Sequence, residues 1–132
     1  MITKTLLFKK IESEVAHLRI DYCCKKIVEL ILSSAEQRPV YSYADFMGAV
    51  DGDCSIEQVQ LCVNYLKSPS VKLVEQQYRY IDDDVIYDLS TEDLQAAFMN
   101  GALNLEDRGY PDTHYQSKVY IVFMANKAVV EE

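Results

Sequence analysis

Residues 49–66 read AVDGDCSIEQVQLCVNYL, and the fold turns on whether the aspartates beside Gly52 hold a cation or turn the chain. An EF-hand loop takes oxygen ligands at its first, third, fifth and twelfth positions and glycine at its sixth, where the chain must bend sharply around the ion. Counted from Asp51, the first three ligand positions hold Asp51, Asp53 and Ser55, but the sixth position is Ile56 and the twelfth Cys62. Glycine and bidentate glutamate are both missing, so this is no EF-hand. The stretch reads instead as a turn, because Gly52 permits positive φ and aspartates bond their own local backbone. Ser55 with Gln58 three residues on is a capping box, which starts a helix that runs to about Lys67, where Ser68-Pro69 stops it. Its buried stripe is Ile56, Val59, Cys62, Val63 and Leu66; its outward face is Glu57, Gln60, Leu61, Asn64 and Ser68.

Upstream, Thr3 to about Glu36 has no Gly or Pro and keeps apolar residues near helical spacing, with Leu7, Ile11, Val15, Leu18 and Tyr22, then Ile27, Leu30 and Ile31. That is one long helix or two in succession, ended by Arg38-Pro39. Val40 to Ser42 is extended, and a short helix begins near Ser42 or Tyr43. Downstream the period changes to two: Tyr78 and Tyr80 alternate around Arg79, and Val85, Tyr87 and Leu89 around Ile86 and Asp88, with Asp82-Asp83-Asp84 between. This pattern is a β-hairpin. Ser90 and Asp93 cap a further short helix that closes near Gly101, residues 104–116 form a long polar loop, and Lys118 to Met124 is a strand.

The order is a helix at about 21–36, an extended piece, a short helix at 43–50, a glycine turn, a helix at 55–67 and a hairpin at 71–89. Carried by SYADFMGAV, DGDCS, SIEQVQLCVNYLKS and YRYIDDDVIYDLS, it resembles the winged-helix superfamily over roughly residues 20–90. The resemblance implies an α+β, winged-helix-like domain with an added N-terminal helix and a C-terminal helix-loop-strand. Residues 1–132 are expected to form a single domain: a core at 20–90, an N-terminal helical extension at 1–19 and a C-terminal elaboration at 91–132.

Composition bounds what such a domain does. With 49% hydrophobic and 26% charged residues in 132, the chain is globular rather than disordered. MITKTLLFKK lacks the longer apolar core and small-residue cleavage site of a signal peptide, and no run approaches the roughly 20 apolar residues of a membrane span, so a soluble, cytoplasmic protein is expected. Cys23 and Cys24 in one helical run and Cys62 in another read as small buried hydrophobes, with no C-x-x-C knuckle and two isolated histidines, so neither metal nor cofactor is expected. Net charge is −8, divided as +2 over residues 1–38 and −10 over 39–132. That balance disfavours nonspecific attachment to nucleic acid or anionic membranes, which need a basic surface.

In winged-helix regulators the second helix of the motif reads the major groove, and the resemblance places Gln60, Asn64, Lys67 and Arg79 as the DNA-reading candidates here. Their surroundings oppose it: Glu57 stands where a phosphate would approach, and the wing tip carries Asp82, Asp83 and Asp84. Six acids lie between residues 82 and 93 with no Lys or Arg, a surface suited to a cationic partner. No nucleophile motif, phosphate-binding loop or zinc motif is present, so the chain reads as no enzyme. Its best polar cluster is the loop around Asp107, Arg108, Tyr110, Asp112, His114 and Tyr115, residue types that serve recognition. The expected function is a non-enzymatic interaction subunit or adaptor, binding a partner protein through Asp82, Asp83, Asp84, Asp88, Arg108, Tyr110, His114 and Tyr115. The alternative is a dimeric DNA-binding transcriptional regulator, and a weaker one an acidic inhibitor that mimics nucleic acid. The N-terminal helix, with Lys4, Lys9 and Lys10 beside an apolar stripe, is a candidate homodimer surface.

Overall fold

Four of the five helices among the described residues start on a hydroxyl side chain, which satisfies amides that a helix start leaves without intrahelical partners. The structure, a computed structural model, describes residues 2–105 and 111–131. Strand β1 (Ile2–Thr3) leads into α1 (Lys4–Val15), where the Thr3 hydroxyl accepts from the Leu6 amide. A 3-10 turn at Ala16–Leu18 ends on Arg19 at φ 60°, and α2 (Asp21–Ser33) begins after it. The Gly- and Pro-free run is therefore two helices, separated by a residue in the left-handed region rather than by a glycine or proline.

Strand β2 (Val40–Tyr41) precedes α3 (Tyr43–Val50), and α4 (Ile56–Lys67) follows. Complete capping boxes open both helices, Ser42 with Asp45 and Ser55 with Gln58. Between them Asp51 at φ 49° and Gly52 at φ 81° reverse the chain through two successive left-handed residues. Asp53 accepts a hydrogen bond from the Tyr22 hydroxyl at 3.1 Å. The aspartates of the opening stretch thus turn and tether the chain.

Strands β3 (Val74–Asp82) and β4 (Val85–Leu89) form an antiparallel hairpin with pairs from Tyr78↔Leu89 to Asp82↔Val85, leaving Asp83-Asp84 as a two-residue loop. Helix α5 (Thr91–Asn100) opens on the Ser90–Asp93 capping box and closes on Gly101 at φ 74°. Strand β5 (Val119–Ala125) and the short β6 (Val130–Glu131) complete the order. In the four-stranded sheet the order is β2-β5-β3-β4, while β1 and β6 pair in parallel. An N-terminal helix, the helices α2, α3 and α4, a β wing and a C-terminal helix-loop-strand follow one another as expected, an arrangement consistent with a winged helix.

The chain divides into two compact units, each with its own core. Unit 1 spans residues 2–76 and 123–131 and packs Leu7, Ile11, Ile27, Ile31, Phe46, Val59, Cys62, Leu66 and Phe123 at 1% exposure or less. Unit 2 spans residues 77–105 and 111–122 and packs Tyr80, Leu89, Ala97, Leu103, Leu105 and Tyr115. Burying such side chains is worth roughly 1.5–3 kcal/mol each against an extended chain, an upper bound.

Three expectations are corrected. Leu18 and Tyr22 are about half exposed, because the 3-10 turn shifts the helical phase between α1 and α2. Ile56 is 50% exposed, since it is the first residue of α4 and the buried stripe starts only at Val59. Cys23 is not a free thiol: α2 meets the turn before α4, and Cys23 and Cys54 are joined as a disulfide, leaving Cys24 and Cys62 as buried thiols. The hydrogen bond with Cys62, followed by burial, pushes the Cys24 thiol far above its ordinary value.

Candidate functional site

The wing acids belong to two environments. Asp83, at φ 52°, and Asp84 form the exposed tip, and Asp88 on β4 faces its cross-strand neighbour Arg79, whose Nε donates to its carboxylate at 2.9 Å. Asp82 is bound inward. Its carboxylate lies 3.3 Å from the Lys118 ammonium and 3.3 Å from the Tyr80 hydroxyl. Lys118 in turn lies 2.8 Å from Asp112, and Tyr80, fully buried, donates to the same Asp112 oxygen at 2.5 Å.

Asp112 is the one buried carboxylate among the described residues of unit 2, at 5% exposure. Its backbone pairs with Leu103 in both directions, N–H to carbonyl at 2.8 and 2.9 Å, and its second carboxylate oxygen accepts from the His114 amide at 2.8 Å. Hydrogen bonds from Lys118 first, then Tyr80, hold its carboxyl far below the usual carboxylate range against the opposing effect of burial. The hydrogen bond to Asp112 first, then the one to Asp82, pushes the Lys118 ammonium up to about 12 against the opposing effect of burial. Among the described residues, two carboxylates, one phenol and one ammonium thus form a network that ties Asp112 to the hairpin and to Lys118, just before β5. Sequence reasoning placed Asp112 in a polar loop and missed its burial. The only signal available was Asp112 following Pro111, an unspecific one.

The remaining candidates separate. His114 is exposed, and Thr113 Oγ1 lies 3.2 Å from its Nδ1. Tyr115, at 6% exposure, packs in the core of unit 2 rather than on its surface. Arg108 and Tyr110, like Asp107, lie outside the described residues. On α4, Glu57, Gln60, Leu61 and Asn64 are exposed, as the helical pattern required, with Leu61 at 46%. Lys67 donates to Gln76 at 2.7 Å. Among the described residues no group of three or more His, Cys, Asp or Glu is placed to hold a metal ion, and no helix is long and apolar enough to cross a membrane.

An exposed apolar surface on α5 was not anticipated. Leu94, Gln95, Phe98 and Met99 line one side of α5, the i,i+4 pairing bringing Leu94 to Phe98 and Gln95 to Met99. Phe98 is 77% exposed and Met99 84%. Glu92 and Asp93 occupy the first turn of the same helix. The signal in the sequence was AAFM, whose Phe98 and Met99 follow Ala97, the buried residue of α5.

Comparison of the chain with protein-family models, curated proteins and solved structures gives no match.

Proposed function

We propose that the chain is a winged-helix protein that acts without catalysis, as an interaction subunit whose unit 2 docks an amphipathic, basic segment of a partner protein. The observation that carries this reading is the pair Phe98 and Met99, held outward on a capped helix at 77% and 84% exposure. An aromatic and a methionine side by side are anchors of the kind that dominate interface energy, and methionine adapts its shape to a partner. The acids support a basic rim on the partner: Glu92 and Asp93 on α5 and Asp83, Asp84 and Asp88 on the hairpin would steer a cationic face toward it. The α4 face supports it by contrast, since Ile56, Glu57 and Leu61 are poor company for a phosphate backbone.

The test is cross-linked capture from the native host, comparing the wild type with Phe98→Ser/Met99→Ser and with Asp83→Asn/Asp84→Asn. Both pairs are exposed, and asparagine tolerates the left-handed φ of Asp83, so the fold is retained. Asp82 is left intact because it holds Lys118. Loss of one specific protein with the first variant, and its weakening with the second, supports the reading. Capture unchanged by Phe98→Ser/Met99→Ser removes it.

A further inference from the structure

We propose that unit 1 carries a binding cleft for a small organic anion. The cleft, about 450 Å³, is lined by Arg38, Lys67 and Lys72 around an apolar floor that includes Val74 and Met124, with the amides of Gln76 and Asn126 and the carboxylate of Glu75 completing it. Its volume falls within the roughly 300–1,000 Å³ of small-molecule sites, and its composition, an apolar floor with a few convergent polar groups, is theirs too.

The distribution of cations singles out this place. Residues 39–132 are strongly acidic, and their described cations elsewhere are engaged: Arg79 with Asp88, Lys118 with Asp82 and Asp112, and Lys127 with the Ser34 carbonyl. Lys67 and Lys72 have no carboxylate partner among the described residues, and neither does Arg38 across the cleft. Glu75 also forms no ion pair there, so three cations converge against one carboxylate in a chain of net charge −8. An oxyanion entering the cleft would meet three positive charges against one negative.

The walls are fixed before any ligand arrives. Lys67 is held by Gln76 Oε1 at 2.7 Å. The Asn126 amide donates to the Leu73 carbonyl at 2.8 Å, Leu73 to Leu66 at 3.0 Å, and Ala125 to the Pro39 carbonyl at 2.9 Å, which ties the end of α4, the start of β3, the end of β5 and the segment before β2 together. Asn126 Oδ1 accepts from the Ala128 amide, and its side-chain NH2 has no partner among the described residues. Arg38 supplies a planar fork for an oxyanion, Lys67 and Lys72 point charges, Asn126 a neutral donor, and Val74 and Met124 a surface for a short apolar body. The ligand chemistry is an oxyanion head, phosphate or carboxylate, on a small carbon frame.

The experiment is amide chemical-shift titration of the full chain with inorganic pyrophosphate, with glutarate, and with glutaramide as the neutral counterpart of glutarate. Saturable shifts at Val74, Glu75, Gln76 and Asn126 from either anion, absent with glutaramide, support the site, and which anion binds tighter distinguishes a phosphate from a carboxylate ligand. Arg38→Ala and Lys72→Asn each weaken that binding about tenfold, the loss of one charge-assisted hydrogen bond. Both side chains are exposed, and asparagine accepts the φ of 56° at residue 72. The proposal is overturned if neither anion shifts these amides, if glutaramide shifts them equally, or if the shifts are as large around Lys4 and Lys9. A short DNA duplex that shifts the cleft when neither small anion does also overturns it.

Discussion

At the scale of single residues, Asp112 joins Tyr80, Lys118 and the His114 amide through one buried carboxylate. Removing it takes from Tyr80 its shorter hydrogen bond and from Lys118 the nearer of its two carboxylates, so Asp112→Ala is expected to cost about 2–3 kcal/mol in urea unfolding followed by circular dichroism. The pH dependence follows from the same contacts. Because the folded carboxyl of Asp112 titrates far below its unfolded value, near 3.9, its contribution is complete above that pH and is lost as pH falls below it. Lys118 is raised in the folded protein, so its contribution is complete below its ordinary value of 10.5 and is lost as pH rises from there through about 12. The wild type should therefore show a stability plateau bounded by both limits. Asp112→Ala should flatten the acid limb; an acid limb of unchanged steepness would locate the titrating group elsewhere. None of this was legible in the sequence, which grouped Asp82 with the wing acids by adjacency. What separates Asp82 from Asp83 is a partner 36 residues away, and local pattern carries no such information.

At the scale of elements the sequence was far more informative, because caps and turns are local chemistry. Ser55 with Gln58, Ser90 with Asp93 and the close at Gly101 were all readable from spacing; both capping boxes form their two hydrogen bonds, and Gly101 takes the left-handed φ of 74°. The hairpin was readable from its period of two, and the strand over 119–125 from its β-branched and aromatic residues. The break between α1 and α2 was not, since Arg19 adopts φ 60° with no glycine to announce it. Nor was the partner of Cys23, because Cys54 lies 31 residues on in a turn outside any periodic run. The turn that launches α4 carries the element-scale prediction. Gly52 sits at φ 81° with open space around it, so Gly52→Ala meets no clash and costs only the left-handed backbone, about 1–2 kcal/mol. Ser55→Ala removes the cap and costs about 1 kcal/mol. Chemical denaturation of the two single variants and their combination measures both. If Gly52→Ala is neutral, residue 52 has found another conformation and the turn is not what fixes α3 against α4.

At the scale of the whole molecule, the question that separates the readings is whether the surface tolerates a polyanion. A regulator that neutralises several phosphates binds duplex DNA with an affinity that falls steeply with salt, the slope of log K against log salt approaching the number of phosphates contacted. This chain offers little for that purpose. Arg79 and Lys118 are occupied by carboxylates, Lys67 by Gln76, and the exposed wing tip, Asp83 and Asp84, would meet phosphate with like charge at about 1 kcal/mol per contact even in water. Arg38, Lys67 and Lys72 line one cleft, and three cations there are few beside the basic stripe a duplex requires. Fluorescence anisotropy with a labelled random duplex is therefore expected to show no binding at low salt, where attraction would be strongest. Saturable binding there, with a steep salt slope, would replace the interaction-subunit reading by the DNA-binding one. Weak binding that disappears in Arg38→Ala or Lys72→Asn would instead trace it to the anion cleft, with α4 still making no contact. Gln60→Ala and Asn64→Ala complete the discrimination, for only a reader of base edges loses sequence preference when they are removed.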